Sequence, residues 1–400
     1  MTLLTIDEPD VPSAGKPALA DHPLFRLGFR PFYLLAAAFA AVSVPLWMAR
    51  YFGWLQSFAK VDLNWHVHEM IFGFAIAVII GFIFTAARNW TGLWTPTKGY
   101  LAALAGLWIA GRIAMLTSGP LLAAMVDLLF LPLAAWPIFR VLQRSGNQRN
   151  MFLIGLLGLL ALANAVFHGA VLGWLPLSPV QPIHAAILII VVLESVIGGR
   201  VIPGFTGNVI ASAKPVVNVR HDRISIAVTV LACVAWIAGL PALTTAALAI
   251  AAACSQLIRL AGWKPHTTLR HPLLWILHVS YAWIPVGFIL LALSALNLVS
   301  QSAALHVLAV GSMAGLIIGM ITRTALGHTG RPLKAGKAEI AMYLLIQIGV
   351  ICRFAAAMLS SDLRDTALVV AAAAWASAFV IYLFVYGPYL VKPRVDGKEG

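Results

Sequence analysis

The feature that most limits the fold of this chain is a series of apolar segments, each long enough to cross a lipid bilayer. A transmembrane helix needs roughly 20 predominantly apolar residues, and the hydropathy pattern contains about 12 such segments. Of the 400 residues, 61% are hydrophobic and 10% are charged, whereas a soluble domain has about 25% charged residues. The sequence therefore predicts an all-α polytopic membrane protein with about 12 transmembrane helices. It excludes a soluble enzyme, a secreted disulfide-rich module and a disordered chain.

The basic residues are distributed unevenly between the two sides predicted for the bundle. Of the 27 Lys and Arg residues, 22 fall in the N-terminal segment, the connections after even-numbered helices, or the C-terminal tail. The other five lie towards the opposite side: Arg50, Lys60, Arg112, Arg353 and Arg364. This bias follows the positive-inside rule and predicts that both termini are cytoplasmic. The net charge of +13 is thus attributed to topology and to contact with the lipid bilayer, and nucleic-acid binding is not expected.

Three stretches of the chain share an ordered series of residues, which indicates an internal repeat. A Thr-Gly pair follows His68, His184 and His306 after 23, 22 and 23 residues respectively. In the outer two stretches, Arg112 corresponds to Arg353 one helix later. Internal repeats of this kind are common in membrane folds that place a site between the units.

The repeat leads to a prediction of domain organisation. We expect one transmembrane domain over residues 31–391, built from three units of four helices. The approximate bounds of these units are 31–145, 150–262 and 271–391. A cytoplasmic segment, 1–30, is expected before the domain and a cytoplasmic tail, 392–400, after it.

Five histidines within the predicted helices lie at a similar depth. The helix directions and the rise per residue put each within about 10 Å of one bilayer boundary: His66, His68, His168, His184 and His306. Ionisable side chains in a bilayer are costly and often functional, and imidazole is the commonest metal ligand. The pattern predicts that these histidines bind haem iron or copper. The alternative is a set of interfacial histidines, each hydrogen-bonded to a neighbour or to water.

The segment Trp65-His66-Val67-His68-Glu69-Met70 is the most informative part of this pattern. Residues two apart on a helix point about 200° apart, so His66 and His68 are predicted to serve two separate centres. His66, Glu69 and Gly73 share a narrow arc, which leaves room for a flat macrocycle or for a closely packed helix. Glu69 is predicted either to orient an imidazole or to carry a proton.

Two further charged residues complete the candidate site. Arg112, near the outer end of helix 3, is expected to pair with Asp127 or to bind a haem propionate. Glu194, near the middle of helix 6, is a candidate proton carrier or a hydrogen-bonded structural acid. We take Glu69 and Glu194 as the candidate catalytic residues. Because the sequence has no Cys-x-x-Cys-His motif, any haem is expected to be non-covalent and of b type.

The remaining histidines are expected to lie outside this constellation. His278 falls at the opposite side of the bilayer from the five candidate ligands. The others fall in segments predicted to be cytoplasmic and are expected to be ordinary surface groups: His22, His221, His266, His271 and His328.

Several motifs of the chain match those of a known family. They are His22-Pro23 with Arg26-x-Gly28-Phe29-Arg30-Pro31-Phe32, Trp65-His66-x-His68-Glu69-Met70, Asn89-Trp90-Thr91-Gly92, Gly198-Gly199-Arg200-Val201-Ile202-Pro203-x-Phe205-Thr206, and Met320-Ile321-Thr322-Arg323 with Leu326-Gly327-His328-Thr329-Gly330-Arg331. In these motifs the chain resembles the NnrS family over nearly its whole length. The resemblance implies a twelve-span protein of the bacterial inner membrane that carries haem and copper and is associated with nitric-oxide response and denitrification. It implies nitric oxide or a related small ligand as a partner, together with an electron donor that the sequence does not identify.

The plan of three units and twelve helices also resembles the catalytic subunit of haem–copper oxidases and nitric-oxide reductases. In that group the second helix of each unit supplies metal-binding histidines. Here His66 and His68, His184, and His306 occupy the corresponding helices. The chain lacks the His-His pair on helix 7 that completes the copper site there, so this likeness concerns the fold alone.

The residues and the resemblance together favour a haem and copper protein that binds nitric oxide and reduces or detoxifies it. A nitric-oxide reductase-like oxidoreductase is one form of this hypothesis, and a sensor is another. Two further alternatives remain. A transporter of a metal or a metal–nitrosyl complex is consistent with twelve spans and internal repeats, and it predicts flux across a membrane. A protein that assembles or stores cofactors for another enzyme predicts bound metal without turnover.

Overall fold

The computed structural model describes residues 21–398, and this part of the chain contains helices and no strands. Twelve long helices follow one another in it: α1 (Phe29–Tyr51), α2 (Leu63–Thr91), α3 (Lys98–Thr117), α4 (Pro120–Arg144), α5 (Phe152–Val171), α6 (Val180–Val209), α7 (Val219–Ile237), α8 (Ala242–Gly262), α9 (Pro272–Ala295), α10 (Gln301–His328), α11 (Lys337–Ala355) and α12 (Ser361–Val391). The first 20 residues of the predicted segment 1–30 lie outside the described residues, as do the last two of the tail 392–400.

Eleven of these helices are long and apolar enough to span a membrane. The exception is α7, whose first turns carry Arg220, Asp222 and Arg223. α2 is the most buried of the eleven, and α10, α9 and α6 follow it, so three of the four helices that carry the candidate histidines lie inside the bundle. The all-α polytopic membrane fold predicted from the sequence is confirmed.

The helices alternate in direction because short connections join them. α2, α6 and α10 therefore begin at one end of the bundle, which we call the histidine end, since His66, His184 and His306 lie within their first two turns. They finish at the opposite end, which we call the basic end, at Thr91, Val209 and His328.

Two of these three helices contain a π-helical segment immediately after a candidate ligand. In α2 the segment Glu69–Ala75 follows His68, and in α10 the segment Val307–Ala314 follows His306. A π-helical turn adds a residue to the α-helical repeat, and such turns occur frequently at functional sites. The two segments begin at equivalent positions of the outer repeats, whereas α6 is α-helical throughout. The resemblance between these stretches thus extends to an uncommon backbone geometry.

The first and last helices close the bundle at its basic end. The fully buried Arg30 of α1 donates from Nη1 to the carbonyl oxygens of Leu390 and Lys392, at 2.9 and 2.7 Å. Carbonyl groups at a helix C-terminus have no intrahelical donor, so this guanidinium caps α12. Further along the same pair, Trp375 Nε1 donates to the carbonyl oxygen of Ala40 at 2.9 Å.

Candidate functional site

A cluster of polar side chains is buried between α2, α3, α4 and α5 towards the histidine end. We call it the acid–imidazole cluster, and its members are His68, Glu69, Arg112, Asp127, Asn164 and His168. Each member is at most 6% exposed. Buried charges are tolerated in an apolar environment when they are paired and hydrogen-bonded. The contacts within the cluster meet that condition.

Asp127 is the centre of the cluster. Its Oδ2 atom lies 3.2 Å from His68 Nε2, 3.1 Å from His168 Nε2 and 2.7 Å from the Asn164 side-chain amide. Its Oδ1 atom accepts a hydrogen bond from Arg112 Nη2. Four side chains from α2, α3 and α5 therefore converge on one carboxylate of α4.

His68 is placed between the two acids of the cluster. Its Nδ1 atom lies 3.1 Å from Glu69 Oε1, and its Nε2 atom lies 3.0 Å from Asn164 Oδ1 as well as close to Asp127. The start of α2 fixes this position, because the Asp62 carboxylate accepts a hydrogen bond from the backbone N–H of Trp65 at 2.8 Å and caps the helix. Both ring nitrogens of His68 thus point at acceptor oxygens.

Arg112 connects the two carboxylates. Its Nη1 atom donates to Glu69 Oε2 at 2.8 Å, and its Nη2 atom donates to Asp127. Gly73 makes room for this contact: a Cβ there would lie 2.9 Å from Arg112 Nη1 and 2.8 Å from Glu69 Oε2. Of the two roles expected for Arg112, pairing with Asp127 is the one that the geometry shows.

Three members of the cluster form a candidate metal site. One ligand atom from each of His68, Asp127 and His168 lies within 4.8 Å of the others, and all three residues are buried. Two imidazole nitrogens with a carboxylate oxygen suit copper, zinc or iron rather than magnesium or calcium. The other members surround this set as hydrogen-bonding partners, which is the arrangement that orients the ligands of metal sites.

The other three candidate histidines line a separate cavity, which we call the histidine cavity. Its volume is about 780 Å³, and His66, His184 and His306 reach it from α2, α6 and α10. Apolar side chains form most of the wall, and Arg353 and Arg364 add two guanidinium groups. Cofactor pockets commonly have volumes of roughly 300–1,000 Å³ and combine apolar walls with a few polar groups. This cavity has those properties.

The hydrogen bonds of His306 determine which of its nitrogens carries a proton. Nδ1 lies 2.7 Å from the backbone carbonyl oxygen of Ser302, which can only accept, so Nδ1 is the donor. In a neutral imidazole, Nε2 then has a free lone pair. Arg353 Nη2 donates to Ser302 Oγ at 2.8 Å and lies 3.3 Å from the same ring. Arg353 therefore contacts α10 as Arg112, its counterpart in the repeat, contacts α2.

His66 faces away from the acid–imidazole cluster, as the two-residue spacing from His68 predicts. Its ring stacks on Trp47 of α1, with centroids 5.0 Å apart and planes 9° apart. Its Nδ1 atom is buried and has no hydrogen-bond partner among the described residues. Buried polar atoms are seldom left unpaired in native proteins. The Nδ1 atom of His66 is therefore a candidate to bind a group other than the described side chains.

Glu194 belongs to neither group of histidines. It lies on α6 beside a small cavity of about 100 Å³, and its Oε2 atom accepts a hydrogen bond from Ser312 Oγ at 2.9 Å. Met313, the next residue of the π-helical segment of α10, lines both this small cavity and the histidine cavity. Glu194 is therefore separated from the histidine cavity by a wall that includes one methionine side chain.

The sequence profile described as NnrS protein matches residues 23–394 of the chain.

The chain belongs to the NnrS family. It is a multi-pass membrane protein of that family, with a buried His/Asp/His cluster that can hold a metal ion. A comparison with curated proteins found no match. The NnrS resemblance identified from sequence motifs is thereby confirmed.

In this NnrS protein the structure divides the predicted site residues into two groups. His68, His168, Glu69 and Arg112 meet in the acid–imidazole cluster, whereas the other three histidines line the histidine cavity. Sequence reasoning did not identify three contributors: Asp127 as a centre, Asn164, and Arg353. The repeat contained a signal for Arg353, because it aligns with Arg112. No sequence signal marks Asn164 beyond its position one turn before His168.

Proposed function

We propose that this NnrS protein holds a b-type haem in the histidine cavity and copper in the acid–imidazole cluster, and that it binds nitric oxide there and reduces it. One observation carries the proposal: α2, α6 and α10, which begin at the same end of the bundle, direct His66, His184 and His306 into a single cavity of cofactor size. The protein is inferred to lie in the bacterial inner membrane with both termini in the cytoplasm, which the distribution of 22 of 27 basic residues supports.

The residues of the histidine cavity fit a haem. His306 would hold the iron of a haem through Nε2, because its Nδ1 proton is engaged by the carbonyl of Ser302. His66 offers a buried nitrogen without a protein partner. Arg353 and Arg364, which line the cavity, would offer guanidinium groups to the carboxylates of a macrocycle. The apolar side chains of the wall would surround a macrocycle held there.

The residues of the acid–imidazole cluster fit copper. Its donor set is two imidazole nitrogens and one carboxylate oxygen, and imidazole suits copper well. Asn164 and Arg112 hold the carboxylate of Asp127 in position, and Glu69 orients the ring of His68. The two groups of histidines share helix α2, since His66 and His68 extend from its opposite faces.

The protein must also deliver protons, because joining two nitric oxide molecules to nitrous oxide and water consumes two protons and two electrons. When bound, reduced haem and copper would provide a binding site for nitric oxide and would supply the electrons. Glu69 contacts Arg112 and His68 in the acid–imidazole cluster, which places it beside the proposed copper site as a candidate proton donor. Glu194, whose carboxyl group accepts a hydrogen bond from Ser312, would pass protons from the small cavity beside the histidine cavity.

The test of the proposal is an optical spectrum of the purified protein, oxidised and dithionite-reduced, with and without nitric oxide, together with metal analysis. We expect haem bands that shift when nitric oxide is added, copper in the same sample, and consumption of nitric oxide under reductant. Folded protein without haem would contradict the proposal. Metal flux into proteoliposomes without tightly held haem would indicate a transporter, and bound cofactors without nitric-oxide consumption would indicate an assembly or storage protein.

Glu194→Gln is expected to slow nitric-oxide consumption at least about tenfold, because the amide cannot carry a proton and general acid–base groups contribute at least this much. The substitution preserves shape and can still accept from Ser312, so haem content should stay unchanged. The measurement is the rate of nitric-oxide loss at an electrode. Asp362→Asn, at an exposed carboxylate in the first turn of α12, is the control. An unaltered rate in Glu194→Gln would show that Glu194 is a structural acid.

A further inference from the structure

A second polar cavity lies at the basic end of the bundle, opposite to the candidate metal sites. Its volume is about 580 Å³, and residues from α2, α6, α10 and the C-terminal tail line it. The lining includes three guanidinium groups, an imidazole, an amide and a hydroxyl group, from Arg88, Arg323, Arg394, His328, Asn89 and Thr324. Within residues 21–398, no carboxylate belongs to this lining. We call it the basic cavity.

The basic cavity is built from motifs that the candidate metal sites do not use. Asn89 and Gly92 come from the motif at the end of α2, and His328 comes from the related motif at the end of α10. The prediction that His328 is an ordinary surface group is wrong: it is the last residue of α10, is half-buried, and its ring lies 5.6 Å from that of Phe29. The outer repeats thus form a shared structure at this end of the bundle.

Arg323 is the most deeply placed cation of the basic cavity. It is 8% exposed, and its Cζ atom lies 3.9 Å from the centroid of the Phe205 ring. No carboxylate in the described part of the chain forms an ion pair with it. A buried cation is stable when an anion or several acceptors compensate it. The stacked ring holds the guanidinium in place but leaves its N–H groups for a bound anion.

The C-terminal tail brings a further guanidinium to the basic cavity and fixes it there. Arg394 Nη1 donates to the carbonyl oxygen of His328 at 3.1 Å, and the N–H of Val395 donates to that of Thr329 at 3.2 Å. Two nitrogens of Arg394 also contact the Asp396 carboxylate, at 2.8 and 2.7 Å. These hydrogen bonds hold the pKa of Asp396 below its usual range, so the pair remains ionised at neutral pH. The tail is therefore a fixed wall of the basic cavity.

We propose that the basic cavity binds a phosphate group. Guanidinium groups make bidentate, charge-assisted hydrogen bonds to phosphate oxygens, and a phosphate offers more acceptor oxygens to converging donors than a carboxylate does. The cavity is larger than inorganic phosphate requires, so it also has space for an organic group attached to the phosphate through an ester bond. The phosphate belongs either to the headgroup of an anionic phospholipid or to a soluble phosphate ester. This site is independent of the proposed haem and copper chemistry.

The experiment compares Arg323→Gln and Arg394→Gln with the parent protein. Arg140→Gln is the matched control, because Arg140 also stacks on an aromatic ring near this end but is exposed and lies outside the cavity. Native mass spectrometry measures retention of phosphatidylglycerol against phosphatidylcholine, and calorimetry in a neutral detergent measures binding of inorganic phosphate and glycerol 3-phosphate. Helix content by circular dichroism establishes folding, and Arg394→Gln, in the tail, keeps the test valid if Arg323→Gln does not fold.

We expect the parent protein and Arg140→Gln to bind a phosphate-bearing probe, and both cavity variants to bind it at least about tenfold more weakly. Selective retention of phosphatidylglycerol would identify a lipid site, and binding of the soluble phosphates would identify a metabolite site. Failure of every probe to bind the parent protein would overturn the proposal. So would cavity variants that bind as tightly as Arg140→Gln.

Discussion

His306→Ala is expected to lower the affinity of the protein for haem by more than about tenfold, so that the purified variant is almost free of haem. Changes to the outer partners of a metal ligand already cost roughly 10- to 100-fold in affinity, and loss of a ligand costs at least as much. The reason is local: the Nδ1 proton of His306 is fixed by the Ser302 carbonyl, which leaves Nε2 for the iron. The measurement is haem per protein from the pyridine haemochrome spectrum.

The control for this prediction is His266→Ala, which removes an exposed imidazole from the connection between α8 and α9 and should leave haem content unchanged. The same measurement on His66→Ala and His184→Ala would show which histidines of the cavity are iron ligands. Full haem content in all three cavity variants would refute the proposal that the histidine cavity holds the haem.

Asp127→Asn is expected to remove copper and to lower the free energy of unfolding by about 3–5 kcal/mol. The carboxylate accepts from Arg112, Asn164 and the two imidazoles of the acid–imidazole cluster. An amide of the same size has no charge and offers one acceptor atom, so Arg112 loses one of its two ion pairs in a buried environment. The measurements are copper content and the unfolding transition of the protein in detergent.

Asp362→Asn is a suitable control, because this carboxylate is exposed in the first turn of α12. The haem content of Asp127→Asn should remain close to that of the parent, since the histidine cavity does not include Asp127. Unchanged stability would contradict the role of Asp127 as the centre of the cluster. Unchanged copper content with reduced stability would show that the cluster is structural and that copper binds elsewhere.

The two candidate sites can be tested separately because helix α2 contributes a different face to each. His66 and His68 are two residues apart, so one helix contributes to the histidine cavity from one face and to the acid–imidazole cluster from another. The π-helical segment that begins at Glu69 follows directly, and Gly73 within it admits the side chain of Arg112. Two sites are thereby held at a fixed separation by a single, deeply buried helix.

The sequence by itself determined the membrane fold and the family to which the chain belongs. Apolar segments of bilayer length determine how many helices form, because each unpaired backbone group in the bilayer is costly. The short connections between these segments make successive helices alternate in direction. Helical periodicity then determines that His66 and His68 diverge. The three-fold spacing from histidine to Thr-Gly predicted which helices carry equivalent residues, and Arg353 could have been found from its alignment with Arg112.

Only the tertiary structure decided how the five histidines divide. The rotation of each helix about its axis depends on packing against its neighbours, and a sequence fixes depth far better than rotation. The predicted depth in the bilayer placed His168 and His184 at the same level. Helix packing nevertheless directs His168 to Asp127 and His184 into the histidine cavity. The same reason explains Asn164 and Arg394, whose contacts join segments that are distant in the chain. Contacts of that kind are set by how the helices pack, which local sequence patterns do not specify.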